Sequence, residues 1–392
     1  MRRLFLLSLV PALALGVFSC ARIERPVSVP VVQNFALALR PVRVLVGTAT
    51  LTQKLDVSAQ GKAGIWADDG KTLLAAALLD KAPVTVKGGA VVVGGQNLAR
   101  ACVILAGESG GTVQVGANSY PGQIVLVARG ESVIAVNYVS MEDYVAGVVS
   151  CEMPPYFERA ALEAQAVAAR TYALWTMKHT RLLSYDLKDD TSSQVYRGVT
   201  GTSAYGREAA RRTAGITLIY EWAFLPSFFF STCGGHTAVA SQMRGAPLVD
   251  PLSGVECQYC RLSKYYHWAR KIPAAEVETA LAKGGVITGK LLDISVTKTV
   301  SEGWVDTVTV TTTDGVRLLT GYALRQYVGT SQWYSTNFKI LRSGEDFVIE
   351  GRGLGHGVGL CQWGADGMAR QGYNYAQILR HYYPGAGILK IY

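Results

Sequence analysis

The chain has 392 residues, 49 % of them hydrophobic, with 42 glycines and a net charge of +9. That length and apolar content suit a large globular core, and no internal repeat or low-complexity tract interrupts it. The basic balance would suit nucleic acid, but no nucleic-acid motif accompanies it and the N-terminus reads as an export signal, so no nucleic-acid partner is expected.

Met1-Arg2-Arg3 precede the apolar run LFLLSLVPALALGVFSC, which is too short to span a membrane as an ordinary helix. Val17-Phe18-Ser19-Cys20 approximates a bacterial lipobox, with Phe18 atypical. Residues 1–19 are therefore expected to be a lipoprotein-type signal peptide, with Cys20 as the lipid-bearing first residue. Residues 20–40, which hold Pro26 and Pro30, read as a tether. Ordinary cleavage and an uncleaved anchor are the alternatives. The expected address is the cell envelope after export, with the N-terminal lipid as the membrane contact.

Residues 41–140 read as short strands separated by glycine turns: VRVLVG, APVTVKGG, GTVQVG, GQIVLVARG and SVIAVNY. A helical turn at 71–80 is the one exception expected there. Ser140 with Asp143 resembles a capping-box start, and Met141, Tyr144, Val145, Val148 and Val149 fall on one helix face. Pro154 and Pro155 forbid continuation, so this helix should stop near Cys151 or Glu152. Glu152 would then sit at a helix C-terminus, where the dipole and partial burial both raise a carboxyl pKa and favour a proton donor. The bland alternative is a surface Glu that merely ends a helix.

A second, alanine-rich helix is expected over about 157–179. Leu162, Ala166, Ala169, Ala173 and Met177 form a narrow small-residue face, which suits a central helix. Gln165 and Tyr172 share a face, and Arg170 lies about 140° round from Gln165. Arg170 reads either as a binding residue or as a structural cation paired with Glu152 or Glu163. Further on, 206–214 reads as a helix, and 216–222, 227–232, 292–299 and 304–312 read as strands.

Seven cysteines are present. Cys233-x-x-His236 and Cys257-x-x-Cys260 are knuckle-like pairs that match a structural zinc site of three Cys and one His, with a disulfide as the rival in an oxidising compartment. Zinc held this way would be structural, because four protein ligands leave no open position. Cys102, Cys151 and Cys361 read as small buried apolar residues. Near the C-terminus Gly351, Gly353, Gly355, Gly357 and Gly359 alternate around His356, which lets backbone and ligand approach closely. His356 is a candidate sugar contact, or else a locally bonded loop residue. Gln362 and Trp363 open a helix beside it, with the indole as a sugar platform or a buried ring. Asn374 with Gln377 caps the last helix.

Four ordered segments carry a resemblance. EDYVAGVVSCEMP with ALEAQAVAARTYAL, DDTSSQVYRG at 189–198, FFFSTCGGHT at 228–237 and GRGLGHGVGLCQWGADGMARQGYNYAQILRHYYPGA at 351–386 resemble the stage II sporulation protein D and amidase-enhancer family. The resemblance implies a lytic transglycosylase that cuts peptidoglycan glycan strands, preferentially those stripped of stem peptides, with Glu152 as catalytic acid and then base. It implies no catalytic cofactor, and it implies glycan strands and a cell-wall amidase as partners. Substrate binding is expected from Gln165, Arg170, Tyr172, His356 and Gln362. The alternative is a non-enzymatic glycan-binding stimulator of an amidase. Glu163, Cys361, Trp363 and Phe229 depart from the family pattern. The expected architecture is α+β, with strand-rich arms around a central helical core that carries Glu152. Residues 41–392 would form one catalytic domain, with 238–345 as a subdomain capping the cleft.

Overall fold

The computed structural model describes residues 40–47, 54–107, 110–243 and 245–392. The signal segment, Cys20 and the tether up to residue 39 lie outside the described residues. Among the described residues the architecture mixes α and β, with seven α-helices and several sheets. No helix among them is long and apolar enough to cross a membrane.

The N-terminal part is built from two sheets. One has seven strands in the order Leu187–Lys188, Val42–Val46, Ser132–Val139, Gln123–Arg129, Cys102–Gly107, Lys62–Ala67 and Leu73–Leu78. Ser132–Val139 is buried on both faces: Val133, Ala135 and Val139 enter the main core, while Ile134 and Val136 pack with Leu45 and Val125 on the other side. The second sheet has six strands and includes Leu55–Ala59 paired with Ala82–Lys87. The helical turn expected at 71–80 is instead the strand Leu73–Leu78, paired with Lys62–Ala67. Its Leu and Ala content favours helix locally, but side-chain packing across a paired strand overrides so weak a preference.

Directly after Val139, Ser140 turns the chain from strand into helix α1 (Met141–Glu152), its Oγ accepting the N–H of Asp143 at 3.2 Å. Met153 leaves the helix with extended dihedrals, as the following prolines require. Helix α2 (Arg159–His179) is buried around most of its circumference, and Ala161, Ala164, Ala166, Ala168, Ala169 and Ala173 let neighbours come close. It packs against α1, against α3 (Ala204–Arg212) and against the strand Ile216–Tyr220.

A second, separate core lies in the region 268–352. A sheet containing Trp268–Pro273, Asp346–Arg352, Asn337–Ser343, Trp304–Thr312 and Leu291–Val300 is covered by α4 (Ala274–Lys283) and α5 (Gly321–Val328). The chain then returns to the first core. Leu360–Cys361 pairs in parallel with Phe229–Phe230, and α6 (Gln362–Arg370) and α7 (Tyr375–Tyr382) pack on α2. The expected cap on α7 is present as a capping box between Asn374 and Gln377.

Candidate active site

A cleft of about 590 Å³ is lined by residues from both cores. Glu152 lines it together with the 191–193 loop, the strand region 228–231, helix α5 and the glycine-rich turn 354–356. Glu152 is the last residue of α1, so its carboxyl sits at the negative end of that helix. Burial pushes its pKa up, and the one hydrogen bond that works the other way, from the backbone N–H of Val195 to Oε1 at 2.8 Å, does not cancel it. Among the described residues that line the cleft, Glu152 is the only carboxylate.

Val195 is held by the residues on either side of it. Gln194 accepts the phenol of Tyr144 on α1 at 2.9 Å and donates to the Ala169 carbonyl on α2 at 3.4 Å. Tyr196 donates to Asn137 Oδ1 at 3.1 Å, and its ring packs against those of Tyr120 and Tyr144. Gln194 and Tyr196 are both buried, so the amide between them is aimed by the interior and not by a mobile loop.

His356 faces the cleft but has no ring nitrogen to offer. Nε2 donates to the Phe229 carbonyl at 2.9 Å, and Nδ1 accepts the N–H of Val358 at 3.1 Å. Both bonds fit one neutral tautomer, and burial holds the pKa down at about 4. The imidazole expected to hydrogen-bond a sugar therefore has both nitrogens engaged within the chain, the other expectation for it, and its ring packs against those of Phe228 and Phe230. The glycines around it are needed for close approach. A Cβ on Gly357 would lie 2.3 Å from the Trp304 ring, and one on Gly359 would lie 2.1 Å from the Phe228 carbonyl oxygen.

The other expected binding residues divide. Tyr172 and Gln362 line the cleft. Gln165 stands behind Gln362, accepting its Nε2 at 3.4 Å, and Gln165 Nε2 is buried without a partner. Arg170 is not in the cleft. It is fully buried and grips Glu142 through Nε at 2.9 Å, with further bonds to the carbonyls of Ile216 at 3.1 Å and Ala210 at 3.2 Å. Its carboxylate partner is neither Glu152 nor Glu163. Glu163 pairs with Arg212, and Glu142 reaches Arg170 because α1 and α2 pack side by side. Trp363 packs edge-on to Phe157, with ring centroids 5.0 Å apart, and does not line the cleft.

The cleft's cation is one that periodicity does not single out. Arg325 on α5 lines the wall and is 7 % exposed. Its Nε donates to the Trp333 carbonyl at 2.9 Å, and no ion pair joins it to a carboxylate among the described residues. Burial lowers its pKa to about 10, so it stays charged at neutral pH. Tyr322 and Gln326 on the same helix line the same wall. Nothing in the local sequence separates Arg325 from a solvated helical arginine; its contact with the cleft does.

The cysteines also regroup. Cys233, Cys257, Cys260 and Cys361 are all buried, with their sulfurs within 4.8 Å of one another. His236, the expected fourth member, is not in the group: its Nδ1 lies 2.7 Å from the Thr237 carbonyl. Cys361 takes its place because the pairing of Phe230 with Cys361 carries that thiol to the end of the strand that leads to Cys233.

Residues 129–220 match the family described as stage II sporulation protein, and residues 256–359 match a domain of unknown function. An uncharacterized protein of Brachyspira hyodysenteriae is 33 % identical over 69 % of this chain and 72 % of its own length. The stage II sporulation protein D of Bacillus subtilis is 32 % identical over 65 % of this chain and 76 % of its own length. The amidase enhancer of Bacillus subtilis is 26 % identical over 61 % of this chain but only 39 % of its own length.

Proposed function

Since the chain belongs to the stage II sporulation protein D family, we propose that its cleft binds a peptidoglycan glycan strand and that Glu152 cleaves it as a lytic transglycosylase. The observation that carries this reading is the solitary carboxyl. A glycoside hydrolase ordinarily needs two carboxylates, one to protonate the leaving oxygen and one to attack the sugar or activate water. The described lining of this cleft offers Glu152 alone. One acid suffices when the sugar supplies its own nucleophile.

In the proposed sequence, burial favours the protonated form of Glu152, and because Oε1 accepts the Val195 N–H, the proton is delivered from Oε2. Oε2 gives that proton to the glycosidic oxygen as the bond from it to the anomeric carbon breaks. The resulting carboxylate then takes the proton from the 6-hydroxyl of the same muramic acid, whose oxygen bonds to the anomeric carbon and closes a 1,6-anhydro ring. The Glu152 proton is restored and no water is consumed. The Val195 N–H steadies the carboxylate between the two transfers.

Arg325 supports a choice of strand. A muramic acid freed of its peptide keeps a lactyl carboxylate, and a desolvated guanidinium in the wall favours such a group. Tyr172, Phe228 and Gln362 supply apolar and amide contacts of the kind a sugar ring uses. Export to the envelope, through the N-terminal segment, would bring the cleft to this substrate. Digestion of peptide-free glycan strands tests the reading. Chains ending in anhydro-muramic acid are expected, and none with Glu152→Gln. Absence of cleavage by wild type, combined with stimulation of an amidase that Glu152→Gln retains, would favour the binding-factor alternative.

A further inference from the structure

We propose that Cys233, Cys257, Cys260 and Cys361 hold one structural zinc ion as a tetrathiolate, and that this ion staples the floor of the cleft. The spacing suits it. Zinc–sulfur bonds of about 2.3 Å in a tetrahedron place the sulfurs about 3.8 Å apart. Here all four sulfurs lie within 4.8 Å of one another, and those of Cys233 and Cys260 are 3.5 Å apart. That is too tight to enclose a multi-iron cluster, whose bridging sulfides hold the thiolates farther apart. With four protein sulfurs in place no coordination position remains for water, so the ion is structural and not catalytic.

The surroundings are those of thiolates. Four thiolates around a divalent ion carry a net charge of minus two, which needs donors. Cys361 accepts the backbone N–H groups of Cys233 and of Gly364, each at 3.3 Å. It is also the N-cap of α6, at the positive end of that helix. Tyr382, fully buried, lies with its hydroxyl 3.1 Å from the Cys257 sulfur, where it donates to a metal-bound thiolate. Gly364 leaves room for this arrangement: a Cβ there would come within 1.9 Å of the Tyr382 oxygen and 2.7 Å of the Cys257 sulfur.

The consequence reaches the cleft through the chain. Phe230 and Ser231 lie just before Cys233, Gln362 directly follows Cys361, and all three line the cleft. Cys257 and Cys260 belong to the loop that leads into the second core at Trp268. One ion thus ties the strand and the helix start that line the cleft to the loop that leads into the second core.

Metal analysis of the purified chain, with its thiols kept reduced, tests the proposal independently of any glycan chemistry. About one zinc per chain is expected. His236→Ala should keep that equivalent, and Cys361→Ser should fall to a small fraction of it. X-ray absorption on the wild-type zinc form should find four sulfur neighbours and no nitrogen, which decides the ligand set even if Cys361→Ser does not fold. A metal-free protein with paired disulfides, iron in place of zinc, three sulfurs with one nitrogen, or zinc lost with His236→Ala but kept with Cys361→Ser would each overturn it.

Discussion

Val195 donates its backbone N–H to Oε1 of Glu152 at 2.8 Å, which leaves the second carboxyl oxygen as the site for a proton in the proposed reaction. The bond opposes burial without reversing it, so the carboxyl titrates above the ordinary Glu range. The amide is fixed by Gln194 and Tyr196 on either side, and these reach α1, α2 and the strand Ser132–Val139.

Replacing the acid should therefore stabilise the fold, and more so at high pH. With its folded pKa raised, Glu152 binds more protons folded than unfolded, so its contribution is fully present below the unfolded value and is lost as pH rises through the folded one. Glu152→Gln keeps an acceptor for Val195 without the charge. Thermal unfolding across a series of pH values, from acid to neutral, should show a Tm advantage for Glu152→Gln that grows with pH. A constant or shrinking gap would contradict a raised pKa.

His356 sets the opposite slope. Its pKa is held down at about 4, so the folded state binds fewer protons than the unfolded state between there and the usual value of about 6.5. The stability it contributes is complete above about pH 6.5 and declines as pH falls toward about 4. Protonation would also turn Nδ1 from acceptor to donor against the Val358 N–H. Wild type should lose stability over that window more steeply than His356→Gln, read by urea unfolding at a series of pH values.

Arg170 and Glu142 should report on folding and not on glycan binding. Removing Glu142 leaves the fully buried guanidinium uncompensated, a loss on the order of 3–5 kcal/mol. Glu142→Ala should show that drop in urea denaturation, while the folded fraction binds glycan as wild type does.

Arg325 should do the reverse. Arg325→Gln is expected to weaken binding of carboxylate-bearing glycan by about tenfold, or about 1.4 kcal/mol. Binding of the same strands with their lactyl carboxylates reduced to alcohols should be unchanged. Titration calorimetry with both ligands separates charge recognition from general damage.

Much of the frame is legible along the chain. The Ser140 cap and the Pro154-Pro155 stop delimit α1, and the alanines of α2 announce a helix that others pack against closely. What periodicity does not give is partnership across long separations. Arg170 reads either as a substrate contact or as a structural cation paired with Glu152 or Glu163, and its partner is instead Glu142, 28 residues away, because α1 and α2 pack side by side. Cys361 joins Cys233 from 128 residues away through a pair of two-residue strands, too short to show a period. The segment 71–80 departs from its expected helix for a related reason: its Leu and Ala residues prefer helix, and its pairing with Lys62–Ala67 decides otherwise. Arg325 is an ordinary helical residue until the second core places it against the cleft.

The most direct test of a solitary acid is digestion of peptide-free glycan strands in water enriched in oxygen-18, with the new ends read by mass spectrometry. Wild type should release anhydro-muramic ends that carry no heavy oxygen, and Glu152→Gln should release none. Reducing ends labelled with oxygen-18 would mean that water, and not the sugar's own hydroxyl, attacks the anomeric carbon, and would contradict the proposed mechanism.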